Sequence, residues 1–308
     1  RPFGLHSFLE LFEVAIAVAV AAIPEGMAIT LTVILAIGMR HILKSRSLVR
    51  KLVAAETLGS VSVICTDKTG TLTRGEMLIT RLISHASDFD FEELQILDAR
   101  KEKHRDALLL MKCGVLCNDA FALRKDGEDG AFKYSGDSTD TAFLSLGKQA
   151  GLDKTRLEYA NKRVDALGFN SERKYMATLH DDESAYITYI KGAPEFVLKQ
   201  SAFYENEGGP KKMTAVERHA FEKKLAELSE QGFRVLGTAY KRDTVKPEVF
   251  DESYIQDAVF LGLVVLSDPL RDDVKETIDL AKRAGIRTVM ITGDHTKTAA
   301  AIGAQIGL

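Results

Sequence analysis

The longest apolar run in the chain covers residues 11–39. It is long enough to cross a bilayer even as a tilted helix, and it is too long for a signal peptide. Basic residues follow at 40–51, and such a flank places the next domains on the cytoplasmic side of a membrane. We therefore predict a transmembrane helix and the start of a stalk over 1–44, with amphipathic stalk sequence continuing through 40–60.

The sequence Pro24-Glu25-Gly26 interrupts this apolar run near its middle. Proline removes a backbone donor and glycine loosens the next turn, so that free carbonyl groups lie beside a carboxylate. A hard cation needs such oxygen ligands when it sheds its water. The pattern predicts Glu25 as a ligand of a transported cation. The alternative is a kinked helix in which burial neutralises Glu25.

A second strongly apolar run, 61–64, ends in a polar turn rich in threonine and glycine. This pattern is typical of the carboxyl end of a buried parallel strand, where open α/β sheets place their chemistry. Asp67, followed by Lys68 and Thr69, offers a carboxylate on an anion-binding turn, which suits a phosphoryl group and a metal ion. We interpret Asp67 as a nucleophile. An exposed turn after a core strand explains the glycine and threonines but not the Asp-Lys pair.

Thr69 bears on the lifetime of a phosphoaspartate at Asp67. Phosphatases with an aspartyl nucleophile on this kind of turn usually carry a second aspartate two positions later as a general acid and base. Thr69 cannot do this near neutral pH. We expect the phosphoenzyme to persist, as it does in an enzyme that uses the intermediate to drive another process.

The phosphorylation-type sequence ends after residue 77, and about 190 residues follow before anything like it resumes, which indicates an inserted domain over 78–267. The periodicity of these residues predicts a mixed α+β domain. Apolar spacing predicts helices, and period-two alternation predicts strands packed as an antiparallel sheet. The predicted helices cover 91–103, 106–117, 138–150 and 214–231, the last with a Thr214/Glu217 capping box. The predicted strands cover 175–180 and 185–190, which form a hairpin, followed by 234–240 and 259–266.

A helix over 272–284 and a buried strand over 286–291 follow this domain, and the strand leads into Thr292, Gly293 and Asp294. Two polar turns at the carboxyl ends of neighbouring strands can bind one phosphate, with Thr292 and the Gly293 amide as donors. The same residues also suit the capping of the next helix, and both roles are compatible.

Composition narrows the functional classes. A chain of 308 residues exceeds one ordinary core, so two or three domains are expected, and a net charge of -3 gives no footprint for nucleic acid. The three cysteines form neither a disulfide framework nor a paired zinc motif, and Cys113 and Cys117 fit core packing best. No P-loop occurs, so any nucleotide must be held in another way.

Residues within the inserted domain are suited to holding a nucleotide without a P-loop. Lys191 and Gly192 follow a predicted strand, where a lysine meets a ligand in a cleft. Phe169, close to Arg173 and Lys174, offers an aromatic face for adenine with cations for phosphates. Each signal alone is weak, because a lone phenylalanine is usually core and Lys-Gly is usually a turn.

Together these motifs resemble one family. The sequence DKTGTLT at 67–73 resembles the phosphorylation signature of P-type cation-transporting ATPases, and PEG at 24–26 resembles the ion-binding fourth membrane helix of calcium and sodium/potassium pumps. The second proline of the common PEGLP pattern is missing, which leaves the ion open, with a calcium-like ion favoured. The nucleotide-binding domain of the family is resembled by GDSTDTA at 136–142, FNSERKYM at 169–176, KGAPE at 191–195 and GFRVL at 232–236, and its hinge by DPLR at 268–271.

The resemblance implies an α/β fold in which a Rossmann-like, haloacid-dehalogenase-type phosphorylation domain is built from 45–77 and 268–308. It implies ATP and Mg²⁺ as cofactors, with Asp67 and Thr69 as magnesium ligands and with Lys68, Thr292, Gly293 and Asp294 beside the phosphoryl group. The residues that it implies for ATP are Phe169, Lys174, Lys191 and Gly192, together with Asp140, Arg173 and Arg234.

No GDGxNDxP segment, actuator motif or further set of membrane helices occurs in these residues. We expect the chain to be the central part of an integral membrane pump whose phosphorylation and nucleotide-binding domains are cytoplasmic. Its expected partners are ATP, the transported cation, the lipid bilayer and the remaining pump segments, with no nucleic acid. Two alternatives stay open, a nucleotide-binding remnant without turnover and a soluble aspartyl phosphatase, against which Thr69 and the membrane segment argue.

Overall fold

The computed structural model describes residues 4–44, 47–48, 50–97, 101–124, 132–293 and 296–308, apart from some side chains within its helices and strands. The chain divides into two compact units. One contains Arg1–Ile64 with Ala281–Thr288, and the other contains Cys65–Leu280 with Val289–Leu308.

The first unit contains helices α1 (Leu5–Lys44) and α2 (Leu52–Gly59). Most of the described apolar side chains of α1 are exposed. Within the described residues, the helices do not combine enough length and apolar character for a bilayer crossing. The prediction of a transmembrane helix over 11–39 is therefore not confirmed by the structure.

The predicted interruption at Pro24-Glu25-Gly26 is wrong for the backbone, because α1 continues through these residues as one helix. A proline inside a helix removes a single i to i−4 hydrogen bond, and the turns on both sides of a 40-residue helix can hold the segment helical. The side chains of 22–26 lie outside the described residues. The predicted cation ligand Glu25 is among them.

Among the residues that the structure describes, nine strands form the main sheet of the second unit. Their order is β10-β9-β12-β11-β8-β7-β6, with β2 paired to β12 and β3 paired to β2. The pairs are antiparallel except β12 with β9, which is parallel. The strands are β2 (Leu78–Ile83), β3 (Asp88–Phe89), β6 (Lys162–Leu167), β7 (Tyr175–Asp181), β8 (Tyr186–Gly192), β9 (Ser201–Asn206), β10 (Gly209–Lys212), β11 (Arg234–Asp243) and β12 (Ala258–Ser267).

Two further strand pairs lie apart from this sheet. The hairpin of β4 (Phe121–Arg124) and β5 (Phe132–Ser135) is antiparallel, and β1 (Val63–Asp67) pairs with β13 (Arg287–Ile291). The remaining α-helices are α3 (Phe91–Gln95), α4 (Arg105–Leu116), α5 (Ser138–Gln149), α6 (Lys154–Ala160), α7 (Pro194–Gln200), α8 (Ala215–Glu230), α9 (Val274–Arg283) and α10 (Thr296–Ile306).

The prediction of a mixed α/β fold is confirmed, and most predicted elements agree with the observed ones within a few residues. The Thr214/Glu217 capping box at the start of α8 is present, and β7 and β8 form the predicted hairpin. The helix predicted over 91–103 is too long, since α3 ends at Gln95 and only a short 3₁₀ turn, Glu102–His104, follows within the described residues. Leu94 and Leu97 are both buried, so tertiary packing produces their apolar spacing without a continuous helix.

Separate apolar cores lie against the main sheet. One contains Leu110 and Met111 of α4 with Phe143 of α5, and the other contains Val197 of α7 and Phe221 of α8. Burial of this area is the main favourable term in folding such a sheet. The prediction that Cys113 and Cys117 serve core packing is confirmed, because both are fully buried. Burial also raises the pKa of the Cys117 thiol to about 11, which keeps it protonated and unreactive.

Candidate active site

A cavity of about 310 Å³ lies beside β7, β8 and β11 and the first turn of α5. Its volume falls within the range of small-molecule sites. The residues that line it, besides the predicted ones, are Asp119, Ala120, Gly136, Asp137, Thr139, Met176 and Leu236. The structure brings five of the seven predicted nucleotide-binding residues to this cavity, namely Asp140, Phe169, Lys191, Gly192 and Arg234.

A buried ion pair forms one wall of the cavity. Lys191 Nζ lies 2.6 Å from Asp140 Oδ1, and the two side chains are only 4% and 13% exposed. The ammonium also lies 4.9 Å from the centre of the Phe143 ring, and Asp140 Oδ2 accepts a hydrogen bond from the Asp119 amide at 3.1 Å. Such pairing is needed because an isolated charge in this position would be costly. Lys191 therefore has a fixed position at the cavity wall.

Phe169 stands on the loop between β6 and β7 and is 65% exposed. A phenylalanine that served only to fill the core would be buried. Its exposure at the cavity is consistent with the predicted aromatic face for a planar ring. The alternative that this residue is ordinary core is wrong.

The other two predicted nucleotide-binding residues, Lys174 and Arg173, do not line this cavity in the described structure. Lys174 Nζ lies 5.3 Å from the centre of the Phe196 ring, and its backbone has φ +55°, a left-handed conformation that is uncommon outside glycine. Arg173 pairs with Glu252 at 3.0 Å and donates to the Gly168 carbonyl. These cations stabilise the loop that carries Phe169.

Asp137 caps the start of α5 at the edge of the cavity. Its side chain accepts a hydrogen bond from the Thr139 amide at 2.9 Å. Burial raises the pKa of Asp137, but the Thr139 hydrogen bonds and the nearby cations Arg234 and Lys191 outweigh this effect and lower it. The carboxylate is therefore ionised at neutral pH, and the cavity carries an anion that the sequence reasoning did not single out.

Arg234, the first residue of β11, borders this cavity and also a second, larger one of about 730 Å³. The turn after β1 contributes Lys68 and Thr69 to the larger cavity, and the amino end of α5 contributes Ser138. All these residues belong to the second unit. A single guanidinium thus lies next to both spaces.

Asp67 is the last residue of β1. The backbone amide of Arg287, at the start of β13, donates to the Ser62 carbonyl just before β1 at 2.9 Å. Because the amino ends of both five-residue strands meet, their carboxyl ends, Asp67 and Ile291, lie at the same edge. This is the edge at which the sequence predicted the phosphoryl group.

The turn after Asp67 is built around Gly70 and Thr73. Gly70 has φ +73°, which glycine adopts without strain. The Thr73 hydroxyl, fully buried, accepts the Gly70 amide at 3.1 Å and donates to Asp268 Oδ2 at 2.6 Å. Asp268 Oδ1 accepts the Gly75 amide at 3.0 Å. A carboxylate 195 positions along the chain from Thr73 therefore fixes this turn.

Arg271 reinforces the same arrangement. Its guanidinium donates to the Gly70 carbonyl at 2.9 Å and to the Thr73 carbonyl at 3.2 Å. The ion pair between Arg74 and Asp272, with a nitrogen to oxygen distance of 2.7 Å, joins the same two segments. The segment 268–272 thus supports the backbone that follows Asp67.

The second predicted phosphate turn is described only in part. Thr292 and Gly293 directly follow β13, whereas Asp294 lies outside the described residues. Among the described residues, no group of three or more histidine, cysteine, aspartate or glutamate side chains is placed to hold a metal ion. The roles of Thr292, Gly293 and Asp294, and of Asp67 and Thr69 toward magnesium, stay predictions.

The family model described as P-type ATPase, cytoplasmic domain N, matches residues 107–273, which include every residue of the smaller cavity. The match extends over more than half of the chain. The chain belongs to the P-type ATPase family.

Curated relatives in this family are similar over almost the whole chain. A calcium-transporting ATPase of Bacillus cereus is 37% identical over 97% of the chain, and one of Listeria monocytogenes is 38% identical over 98%. A cation-transporting ATPase of Synechocystis is 36% identical over 97% of the chain. These alignments cover 32%, 33% and 34% of the relatives, so the chain spans about one third of their length.

Sequence reasoning missed several residues of this candidate site. Asp119 and Asp137 at the smaller cavity carry no distinctive motif of their own, although Asp137 precedes a predicted helix and an N-cap could have been inferred. Asp268 and Arg271 were recognised as part of a hinge-like motif. Their contacts with Thr73 and Gly70 could not be inferred from residues so far apart in sequence.

Proposed function

We propose that this chain carries the ATP-binding and phosphoryl-accepting part of a P-type cation pump, with ATP held in the smaller cavity and Asp67 as the acceptor. The observation that carries the proposal is the convergence of Phe169, Asp140, Lys191 and Arg234 on one cavity from four separate sequence motifs. The family membership supports the same reading.

The smaller cavity fits the adenosine end of ATP. Phe169 exposes an aromatic face on which a purine stacks, and Lys191 and Arg234 supply positive charge. Asp140 and Asp137 are acceptors for amino or hydroxyl hydrogens. The volume of about 310 Å³ suits a nucleoside but leaves the triphosphate to extend beyond it.

The position of Arg234 indicates the direction in which the triphosphate would extend from the smaller cavity. The larger cavity adjoins the same guanidinium and reaches Lys68 and Thr69, the two residues that follow the acceptor. In the proposed reaction a carboxylate oxygen of Asp67 attacks the γ-phosphorus, and the bond from that phosphorus to the β,γ-bridging oxygen breaks, releasing ADP. Lys68 offsets the negative charge of the transferred group.

Magnesium would be held through the oxygen atoms of Asp67 and Thr69, since carboxylate and hydroxyl oxygens suit this ion. It would supply electrostatic stabilisation of the transferred phosphoryl group. Thr292 and Gly293 would add donors from the neighbouring strand end.

The phosphorylation domain is proposed as a haloacid-dehalogenase-type α/β unit from 45–77 and 268–308, with 78–267 as the nucleotide-binding domain.

The transport step is proposed from the relatives and from the first 44 residues. Curated relatives are named as calcium-transporting and cation-transporting ATPases, which supports a cation of the calcium type. We propose that 1–44 contributes a membrane segment with Glu25 as an ion ligand, and that the bilayer and the remaining pump segments are partners. The nucleotide-binding and phosphorylation parts would lie in the cytoplasm.

The proposal is tested by incubating the chain, in the full pump, with γ-labelled ATP and Mg²⁺ and the candidate cation. We expect a hydroxylamine-sensitive label that Asp67→Asn abolishes while ATP binding is retained. Binding without any label would support the alternative of a nucleotide-binding remnant. Rapid release of phosphate from a soluble preparation without cation dependence would support the phosphatase alternative.

A further inference from the structure

The exposed ring of Phe169 depends on its loop to hold it in position. An aromatic ring that is 65% exposed on a loop has few packing contacts of its own. A stacking face binds a ligand more tightly when its position is fixed beforehand, because ordering it on binding costs affinity. The contacts that hold the loop between β6 and β7, residues 168–174, therefore affect how tightly a base stacks on Phe169.

Arg173 makes the longest-range contacts of this loop. Its guanidinium donates to the carbonyl of Gly168, the residue directly before Phe169, and pairs with Glu252 at 3.0 Å. The Arg173 side chain is 18% exposed, whereas Glu252 is 61% exposed. A planar guanidinium can bind both acceptors at once, which a lysine ammonium in the same place cannot do with the same geometry.

The anchor for Arg173 is itself held in place. Asp251 Oδ1 accepts the Ser253 amide at 2.9 Å and fixes the turn that contains Glu252. The next residue, Tyr254, accepts Lys241 Nζ of β11 through its carbonyl at 2.9 Å. Arg173 thus connects the Phe169 loop to a segment fastened to the main sheet.

The remainder of the loop has its own local hydrogen bonds. The Asn170 carbonyl accepts the Lys174 amide at 2.7 Å, and Asn170 Oδ1 accepts the Glu172 amide at 2.7 Å. These contacts shape the loop from Asn170 onward. They do not involve Gly168, so the side of the loop that leads into Phe169 depends on Arg173.

We propose that Arg173 is a positioning residue that holds Phe169 for base stacking through Gly168 and Glu252, and that it does not contact the nucleotide. Arg173 does not line either cavity in the described structure, which agrees with an indirect role. The inference rests on the proposed function of the smaller cavity.

The test compares two probes, ATP and inorganic tripolyphosphate, by titration calorimetry on the full chain. Arg173→Ala and Glu252→Gln are each expected to raise the Kd for ATP about 10-fold, the order expected for a lost base–aromatic stack. The Kd for tripolyphosphate should stay unchanged, because this probe has no base. Arg173→Lys should resemble Arg173→Ala, since the charge alone does not hold Gly168.

A double-mutant comparison separates positioning from direct contact. In a Phe169→Ala background, Arg173→Ala should cause no further loss of ATP affinity, because the face that it positions is already absent. The matched control is Arg81→Ala, which removes another arginine–carboxylate pair of this sheet, with Asp88 at 2.7 Å. Neither Arg81 nor Asp88 lines either cavity. It should leave both Kd values unchanged.

Each other outcome contradicts a specific claim. Equal losses for ATP and tripolyphosphate, or a further loss in the Phe169→Ala background, would show direct phosphate contact and overturn the positioning role. Normal ATP affinity in both Arg173→Ala and Glu252→Gln, with Phe169→Ala impaired, would overturn this inference alone. Absence of ATP binding in the unaltered chain would overturn the proposed function first. Glu252→Gln keeps the test valid if Arg173→Ala fails to fold.

Discussion

Lys191 Nζ lies 2.6 Å from Asp140 Oδ1, and both groups are largely removed from water at the wall of the smaller cavity. A buried pair of this kind is costly to break from one side, because the remaining charge has no partner. Replacing both members removes that penalty. The pair therefore contributes to the stability of the domain and also forms part of the wall of the smaller cavity.

We predict that Lys191→Met lowers the free energy of unfolding by about 3 to 5 kcal/mol, because Asp140 stays buried without its cation. The double variant Lys191→Met/Asp140→Asn should recover a large part of this loss. Urea denaturation followed by circular dichroism measures both. Equal destabilisation of the single and double variants would contradict the role given to the pair, and both variants should weaken ATP binding.

Thr73→Val is predicted to slow phosphorylation of Asp67 without changing ATP affinity. The substitution keeps the shape but removes the donor to Asp268 and the acceptor for the Gly70 amide, so the turn after Asp67 loses its fixed form. A buried hydrogen bond lost in this way costs about 1 to 3 kcal/mol of stability. Quenched-flow labelling with γ-labelled ATP gives the rate.

The matched control for this prediction is Thr73→Ser, which keeps the hydroxyl. It should phosphorylate much closer to the unaltered rate than Thr73→Val does. A Thr73→Ser variant that is as slow as Thr73→Val, or a Thr73→Val variant that phosphorylates at the unaltered rate, would contradict the role given to the hydroxyl hydrogen bonds.

His180 is predicted to make the domain sensitive to acid. Burial lowers the pKa of His180 to about 4, from an ordinary value of 6.5, although its hydrogen bond with the Asn161 carbonyl opposes the shift. Because the folded state holds the neutral ring, stability should be fully present above pH 6.5 and fall progressively toward pH 4. The full loss is about 3 kcal/mol for a shift of this size.

This prediction is checked by urea denaturation at a series of pH values. His180→Gln should lower stability at neutral pH but flatten the profile between pH 6.5 and pH 4. His219, which is 79% exposed, provides the comparison, and His219→Gln should leave the profile unchanged. A profile of His180→Gln that parallels the unaltered chain would assign the acid sensitivity to other groups.

Gly192→Ala is predicted to lower the stability of the domain and to distort the smaller cavity. A Cβ at this position would lie 2.4 Å from the Lys174 carbonyl oxygen and 2.4 Å from Tyr175 Cα, and these backbone atoms cannot move aside cheaply. Overpacking of this kind costs about 1 to 3 kcal/mol or more. Gly208→Ala is the control, because a Cβ there meets nothing within 4 Å. Thermal unfolding with and without ATP measures both effects.

The sequence allowed the prediction of elements whose signals are local. The capping box of α8 and the β7–β8 hairpin depend on residues a few positions apart, and both are present. That Asp140 and Arg234 join Lys191 at one cavity is expected only through the family resemblance. Periodicity alone could not show that α5 and β11, which lie far from the β7–β8 hairpin in sequence, border the same cavity.

The missed features depend on distant contacts or on packing. Thr73 and Asp268 are 195 positions apart, and nothing in either local sequence identifies the other as its partner. The sequence predicts Arg173 as a phosphate-binding cation because it stands beside Phe169, whereas the structure places it against Glu252. The role of a charged side chain follows from its partner, and the partner is fixed only by the fold.

In chain order, β2 is the first strand of the main sheet and β12 is the last. Leu78 of β2 is the direct partner of Ser267 of β12. The first and last strands of the sheet are therefore adjacent, and the two ends are separated by roughly one interstrand distance of about 4.8 Å. A domain whose two ends lie side by side tolerates insertion into another protein. It also tolerates circular permutation with new termini at an exposed turn such as 207–208. The domain is therefore suited to circular permutation, and a permutant opened at 207–208 allows the smaller cavity to be studied apart from the rest of the chain.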